Sequence, residues 1–162
     1  MTDIHQRAAE LARRLNARRL KMATAESCTG GGIAYVLTSL IGASDWFERG
    51  FVTYSNDAKM EMLGVAAATL DRHGAVSEAT VLEMARGALI RSRADISVAV
   101  SGVAGPGGGS ADKPVGTVWI AWAQGPDWSR AERFQFTGDR GAVRDATIEA
   151  AVEGLIARLA AV

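Results

Sequence analysis

The spacing of apolar and polar residues along the chain predicts a mixture of helices and strands. Apolar side chains recur at intervals of three and four over residues 3–18, which is typical of an amphipathic helix, and Asp3 is placed to cap it. The same spacing over residues 141–160 predicts a last helix. Residues 95–101 instead alternate and are rich in β-branched side chains, so they predict a strand.

Short apolar runs, interrupted by glycines and polar residues, predict the remaining elements. Ser77 is the expected N-cap of the longest internal helix. Further helices are predicted at residues 32–41, 56–63, 67–72 and 77–93. Further strands are predicted at residues 20–25, 47–54, 115–123 and 129–137.

The order of these elements predicts the fold class. Strands separated by helices imply parallel neighbours, whereas the short GPDW connection between the last two strands implies an antiparallel hairpin. Strand 115–123 is apolar on both faces and so belongs inside the sheet, while 129–137 alternates and suits an edge. We therefore expect an α/β protein, a three-layer α/β/α sandwich around a mixed, mostly parallel five-stranded sheet, with residues 1–162 forming a single domain.

The composition limits the kinds of binding partner and the cellular compartment that we expect for this protein. The 162 residues include 18 basic and 18 acidic side chains, so no excess charge favours nucleic acid or a membrane surface. The apolar stretches fall short of the ~20 residues that a membrane span needs, and the N-terminus has no apolar signal-peptide core. Cys28 is the only cysteine, which suits a reducing compartment. We expect a cytoplasmic protein that binds neither nucleic acid nor membrane.

The first candidate for chemistry is the turn at residues 24–32, where a predicted strand meets a predicted helix. Ser27 resembles a nucleophile on a tight turn, and free backbone N–H groups at a helix start can hold an oxyanion. The alternative is an ordinary helix cap supplied by Ser27 or Thr29, and both can hold because they use the same geometry. The candidate oxyanion and substrate-binding residues of this turn are Cys28, Thr29, Gly30 and Gly31.

The second candidate is Lys59, near the start of the helix that follows strand 47–54. A cation there opposes the helix dipole, and burial would lower the pKa of the lysine further, so that a neutral amine can act as general base for a serine. The alternative is a solvated surface lysine, which is the commoner case. Tyr54 and Asn56 are candidate hydrogen-bonding partners, although Tyr54 equally suits packing at the strand end.

The third candidate is the glycine-rich stretch 101–117, which leaves the end of a strand and offers many unhindered N–H donors to a phosphate. Its spacing is neither that of a P-loop nor that of a dinucleotide fingerprint, and a flexible loop without a ligand is the alternative. Arg140, early in the last helix, suits either a phosphate contact or a solvated face. The candidate residues of the loop are Ser101, Gly102, Gly105, Gly108, Gly109 and Ser110.

The two histidines do not suit a catalytic or a metal site. His5 falls in the first helix and His73 at the end of another. Cys28 as nucleophile usually needs a nearby histidine, and a zinc site needs more ligands than one cysteine and two distant histidines. We therefore expect no metal. Without a nearby histidine, a serine nucleophile in this chain is more compatible with a lysine as its base.

With these residues the chain resembles the CinA C-terminal domain, the nicotinamide-nucleotide amidase or NMN deamidase family. The matching stretches occur in the order of the family and at roughly its spacing. They are TAESCTGG (24–31), WFERGFVTYSNDAK (46–59), LGV (63–65), HGAVSE (73–78), SGVAGPGGGS (101–110), KPVGTV (113–118) and GDR (138–140).

The resemblance implies hydrolysis of nicotinamide mononucleotide to nicotinic acid mononucleotide and ammonia, in pyridine-nucleotide recycling. It implies Ser27 as nucleophile, Lys59 as base, no cofactor, a small-molecule substrate and a homo-oligomer. The chain looks like the stand-alone form of a domain that many relatives carry behind a larger one. Gly107 departs from the Asp or Thr that relatives often have. A non-catalytic nucleotide-binding module and an amidase for another small carboxamide stay open as alternatives.

Overall fold

The computed structural model describes residues 3–160, and its elements follow the predicted order. The helices are α1 (Ile4–Arg18), α2 (Gly32–Thr38), α3 (Asn56–Leu63), α4 (Ala67–His73), α5 (Glu78–Ile90) and α6 (Arg140–Ala160). The strands are β1 (Met22–Glu26), β2 (Phe47–Val52), β3 (Ile96–Gly102), β4 (Thr117–Gln124) and β5 (Trp128–Gln135). A short 3₁₀ turn, Ala43–Asp45, precedes β2.

The five strands form one sheet in the order β2-β1-β3-β4-β5. Strand β1 runs parallel to both β2 and β3, whereas β4 runs antiparallel to β3 and to β5. Four strands therefore point one way and only β4 opposes them. This confirms the mixed, mostly parallel sheet, with β4 in its interior and β5 at its edge.

Helices cover both faces of the sheet, which confirms the three-layer α/β/α arrangement. One face packs against α1, α2 and α6, and its buried side chains include Leu11, Ile33, Val98, Val152 and Leu155. The other packs against α3, α4 and α5, and its buried side chains include Leu63, Leu70, Met84, Ala88 and Ala99. All five residues of β1 are buried because this strand has a neighbour on each side and helices above and below. No helix within residues 3–160 is long and apolar enough to cross a membrane.

Caps explain where several elements begin and end. Asp3 accepts from the backbone of His5 and Ser77 from that of Thr80, as predicted. Helix α2 ends at Thr38 and not at residue 41, because the apolar run that suggested the longer helix ends in a fully exposed Ile41. Strand β2 ends at Val52 because Ser55 already caps α3.

The parallel strands bring three chain segments to the same edge of the sheet. Glu26, the last residue of β1, lies opposite Val52 of β2 and Val100 of β3. The residues that follow each of these positions therefore leave the sheet side by side. In open α/β sheets this carboxyl edge is where ligands bind.

Candidate active site

A cavity of about 300 Å³ opens at the carboxyl edge of β1, β2 and β3. It brings together the serine, the lysine and most of the glycine loop that the sequence singled out. Its wall includes the predicted residues Ser27, Cys28, Tyr54, Asn56, Lys59, Ser101, Gly102, Gly105, Gly108, Gly109 and Arg140. Thr29, Gly30, Gly31 and Ser110 are not part of this wall.

Ser27 and Lys59 contact each other at the centre of the cavity. The Lys59 Nζ lies 2.9 Å from the Ser27 Oγ and 2.8 Å from the carbonyl oxygen of Thr53. The lysine is only 1% exposed and the serine 7%. The interpretation of Lys59 as a solvated surface residue is therefore wrong: α3 turns its side chain inward, on the same helix face as the buried Leu63.

Burial sets the protonation of both polar side chains beside the serine. It lowers the pKa of Lys59 to about 8. It raises the pKa of the Cys28 thiol to about 11, with a contribution from the charge of Glu26. Near neutral pH about a tenth of the lysine is then a free amine next to a hydroxyl, while the cysteine stays a thiol. The amine therefore contacts the Ser27 hydroxyl directly and can accept its proton, while the neighbouring thiol stays protonated.

The turn after β1 is capped by Glu26, a residue that sequence reasoning missed. The backbone N-cap of α2 is Gly31, which makes no side-chain cap, so the interpretation of Ser27 or Thr29 as N-cap is wrong. The buried Glu26 carboxylate instead accepts from the backbone N–H groups of Ile33 at 2.8 Å and Ala34 at 3.0 Å. It also accepts from the Thr29 hydroxyl at 2.5 Å. The only signal in the sequence was an acidic residue at the end of an apolar strand.

Helix α6 holds the other side of the same turn. The Arg144 Nε donates to the Cys28 carbonyl at 3.2 Å, and a second nitrogen donates to the Thr29 carbonyl at 3.1 Å. One helical turn earlier, Arg140 donates to the Gly105 carbonyl and to the Tyr54 hydroxyl, each at 3.0 Å. Both arginines thus contact loops of the cavity, Arg144 from a half-buried position and Arg140 from an exposed one.

Backbone N–H groups of the turn differ in their availability. Those of Ser27 and Gly30 donate to the carbonyls of Val100 and Ser27. The Cys28 N–H donates to no backbone carbonyl within residues 3–160, and Cys28 lies on the cavity wall. Of the predicted donors in this turn, Cys28 is the one that combines an open N–H with a place in the cavity.

The glycine loop is pinned at its base and tip. At the base, the N–H of Val103 donates to Thr117 and that of Gly116 donates back to Val103. At the tip, the N–H of Ser110 donates to Lys113. These bonds argue against a freely flexible loop. Between them, the N–H groups of residues 104, 105 and 107–109 donate to no backbone carbonyl in the described part of the chain.

Positions 109 and 107 of the loop differ in whether they could accept a residue larger than glycine. Gly109 has φ +85° and a Cβ there would lie 3.1 Å from the backbone nitrogen of Val115, so the loop needs glycine at this position. At Gly107 a Cβ would meet nothing within 4 Å and φ is not positive. The departure of residue 107 from the resembling family therefore leaves the loop backbone unstrained.

Neither histidine belongs to the cavity. His5 lies on α1 and His73 ends α4, where its carbonyl accepts from the Lys113 side chain. Within residues 3–160 no three His, Cys, Asp or Glu side chains lie close enough to hold a metal ion. The side chain that meets Ser27 is thus an amine and not an imidazole.

Known proteins share this chain's sequence and fold over nearly their whole length. A family model described as the CinA C-terminal domain matches residues 4–159. The chain belongs to the CinA C-terminal domain family. It is 55% identical to the nicotinamide-nucleotide amidohydrolase PncC of Escherichia coli strain K12 over 89% of this chain and 88% of that protein. It is 53% identical to the Pseudomonas putida protein of the same name, over 96% and 95%.

A solved structure of the family has the same fold. The crystal structure of the competence/damage inducible protein CihA from Agrobacterium tumefaciens matches with a TM-score of 0.94 at 48% identity, over 97% of this chain and 96% of that one. The family and the α/β class expected from the sequence are both confirmed.

Proposed function

We propose that this chain is a nicotinamide-nucleotide amidohydrolase, which converts nicotinamide mononucleotide and water to nicotinic acid mononucleotide and ammonia. The observation that carries the proposal is the 2.9 Å contact between the Ser27 Oγ and the buried Lys59 Nζ. A module that only binds nucleotides has no need of a buried amine against a serine. The substrate is supported by the name of the curated relatives, which are 51–55% identical to this chain.

Acylation begins with the neutral form of Lys59. Its lone pair takes the Ser27 proton while one N–H keeps its bond to the Thr53 carbonyl, which fixes the direction of the amine. Ser27 attacks the carboxamide carbon and a tetrahedral oxyanion forms. Lys59 then gives its proton to the nitrogen, the C–N bond breaks with its electron pair on nitrogen, and ammonia leaves. Water, activated by the same amine, hydrolyses the acyl-enzyme.

Backbone donors around the cavity suit the two charged parts of the reacting nucleotide. The open N–H of Cys28 is placed beside the nucleophile and serves the oxyanion. The open N–H groups of Gly107, Gly108 and Gly109 serve the 5′-phosphate, with the Arg140 guanidinium on the same wall. This cycle uses only protein groups and water. A cytoplasmic location and a homo-oligomer stay predictions.

The direct test is ammonia release from nicotinamide mononucleotide. We expect the purified protein to release one ammonia for each nicotinic acid mononucleotide formed, because hydrolysis of the carboxamide yields both. A coupled ammonia assay with chromatography of the nucleotides measures the ratio. Free nicotinamide serves as the control, since it lacks the phosphate that the glycine loop is proposed to hold. Absence of ammonia from the mononucleotide would remove the proposed substrate.

Replacing Glu26 by glutamine is expected to slow the reaction as well as weaken the fold. The glutamine amide has one acceptor oxygen for the three donors that Glu26 now binds. It also lacks the negative charge that interacts favourably with the dipole at the start of α2. The turn that carries Ser27 therefore loses its fixed geometry. We expect the free energy of unfolding to fall by about 1–3 kcal/mol and kcat to fall about 10- to 100-fold with little change in KM. Denaturant unfolding and steady-state kinetics measure the two effects.

Glu83 provides a matched control for this substitution. Its carboxylate accepts from the backbone of Ala66 and from the Thr69 hydroxyl at the start of α4, away from the cavity. Glu83→Gln should therefore lower stability in the same way and leave kcat within about threefold of wild type. An equal loss of kcat in both variants would mean that Glu26 acts only through stability.

A further inference from the structure

Ser101 is a second buried hydroxyl on the wall of the cavity. It is the sixth residue of β3 and is 1% exposed. No hydrogen bond joins its hydroxyl to a group within residues 3–160, and it lines the cavity, whereas the fully enclosed hydroxyls without a partner are those of Thr24 and Thr53. Buried hydroxyls normally find a partner, so an open one that lines a cavity points to a group that enters the cavity.

The sheet places Ser101 beside the nucleophile. Glu26 lies opposite Val100 in the parallel pairing of β1 and β3, and the Ser27 N–H donates to the Val100 carbonyl at 3.1 Å. Continuing this register by one residue sets Ser27 next to Ser101, with their backbones about 5 Å apart as in neighbouring strands. Two hydroxyls at that spacing leave room for one hydrogen-bonded atom between them.

Both hydroxyls also face the same side of the sheet. Ser97, four residues before Ser101, donates its hydroxyl to the Ala85 carbonyl of α5, and Ala99, two residues before it, packs on the same face. Ser101 continues this alternation toward the layer that contains α3. Lys59 projects from α3 into the same cavity. A substrate carbon attacked by Ser27 would thus have the Ser101 hydroxyl beside it and Lys59 within reach.

We propose that the Ser101 hydroxyl binds the leaving nitrogen of the carboxamide. It accepts one N–H of the substrate amide, which turns the nitrogen lone pair that forms in the tetrahedral intermediate toward the Lys59 ammonium. The proton that Lys59 took from Ser27 passes to that nitrogen. The C–N bond then breaks with its electron pair on nitrogen, ammonia departs and Lys59 is neutral again. This role rests on the proposed amidohydrolase function and adds the residue that serves its leaving group.

The test compares an amide with an ester that shares the same acyl part. We expect Ser101→Ala to lower kcat/KM for nicotinamide mononucleotide about 10- to 100-fold. For the methyl ester of nicotinic acid mononucleotide we expect a fall of less than about threefold, because methoxide leaves with far less need of protonation. The nitrogen-15 isotope effect on ammonia release should rise in the same variant, since C–N cleavage becomes slower relative to attack. That second readout uses only the natural amide.

Ser97→Ala is the matched control, as it removes a buried hydroxyl from the same face of the same strand. Its hydroxyl is bonded to α5, so we expect a lower Tm and an unchanged ratio of amide to ester turnover. Ser101→Ala should keep the wild-type Tm or raise it, because its hydroxyl has no partner in the described chain. Ser101→Thr, which keeps the hydroxyl, should restore the ratio and covers the case in which the alanine variant does not fold.

The outcomes separate this proposal from the function on which it rests. A wild-type protein that releases no ammonia from nicotinamide mononucleotide contradicts the proposed function. An active wild type whose Ser101→Ala variant loses amide and ester turnover equally, with an unchanged isotope effect, overturns the role of Ser101 alone. Selective loss of amide turnover supports it.

Discussion

The Ser27→Ala variant is expected to lose about 10⁴- to 10⁶-fold in kcat for ammonia release. Alanine fills the turn without an oxygen, so no acyl-enzyme can form. Ser27 is nearly buried, and its hydroxyl meets only Lys59 among the described residues. The fold should tolerate the change, because the backbone bonds of the turn and the Glu26 cap do not involve that hydroxyl. Steady-state assays, with circular dichroism to confirm folding, measure the loss.

Replacing the adjacent Cys28 distinguishes the two candidate nucleophiles of this turn, the Ser27 hydroxyl and the Cys28 thiol. Burial raises the pKa of the Cys28 thiol to about 11, so it is protonated under assay conditions. Cys28→Ala keeps the backbone N–H and removes only the thiol, so we expect it to retain most of the activity. If Cys28→Ala is inactive and Ser27→Ala is active, the thiol is the nucleophile and the proposed mechanism is wrong.

Replacing Lys59 by methionine is the second change expected to abolish turnover, by about 10⁴-fold or more. Methionine keeps the length of the buried stem and removes the base. Its cost to the fold should be small, within about 1 kcal/mol of the wild-type free energy of unfolding, because relief from burying an ammonium offsets the loss of its two hydrogen bonds. Kinetics and denaturant unfolding on the same sample separate lost catalysis from lost structure.

Arginine at the same position and the pH profile test the protonation state of the base. The pKa of Lys59 is lowered to about 8, and the proposed mechanism uses its neutral form. Activity should therefore rise with pH, about tenfold per unit below pH 8, and level off above it. Lys59→Arg keeps a cation that does not deprotonate and should be inactive at every pH. Activity in that variant, or a profile that falls between pH 6 and 8, would contradict a lysine base.

Most of the fold could be predicted from the sequence, because the local patterns of apolar residues agree with the faces that become buried. The β-branched run of β3 and the three-four spacing of α6 each matched the face that becomes buried. Helix α2 was misjudged because Tyr35 and Ile41 are apolar yet exposed, and apolar character alone does not report burial. The position of β1 between β2 and β3 depends on long-range pairing that no local pattern encodes.

The proposed catalytic residues were easier to predict than the residues that hold them. Ser27 and Lys59 sit at strand-to-helix turns, where chemistry is common, and the family motifs pointed to both. Glu26 was missed because a carboxylate that caps a helix from the preceding strand lies outside the usual N-cap pattern. Arg144 was missed as a brace because its partners, the carbonyls of Cys28 and Thr29, lie 116 and 115 residues away along the chain.

The long separation in sequence between Arg144 and the turn that it holds has a consequence for when the cavity is completed during synthesis. The turn that carries Ser27 is synthesised before α6, whose Arg144 holds that turn and whose Arg140 contacts Tyr54 and the Gly105 carbonyl. A nascent chain can thus hold its serine and lysine without a finished cavity. We therefore expect hydrolysis only after α6 has been synthesised and has docked, and proteolytic removal of α6 should abolish activity while leaving Ser27 in the chain.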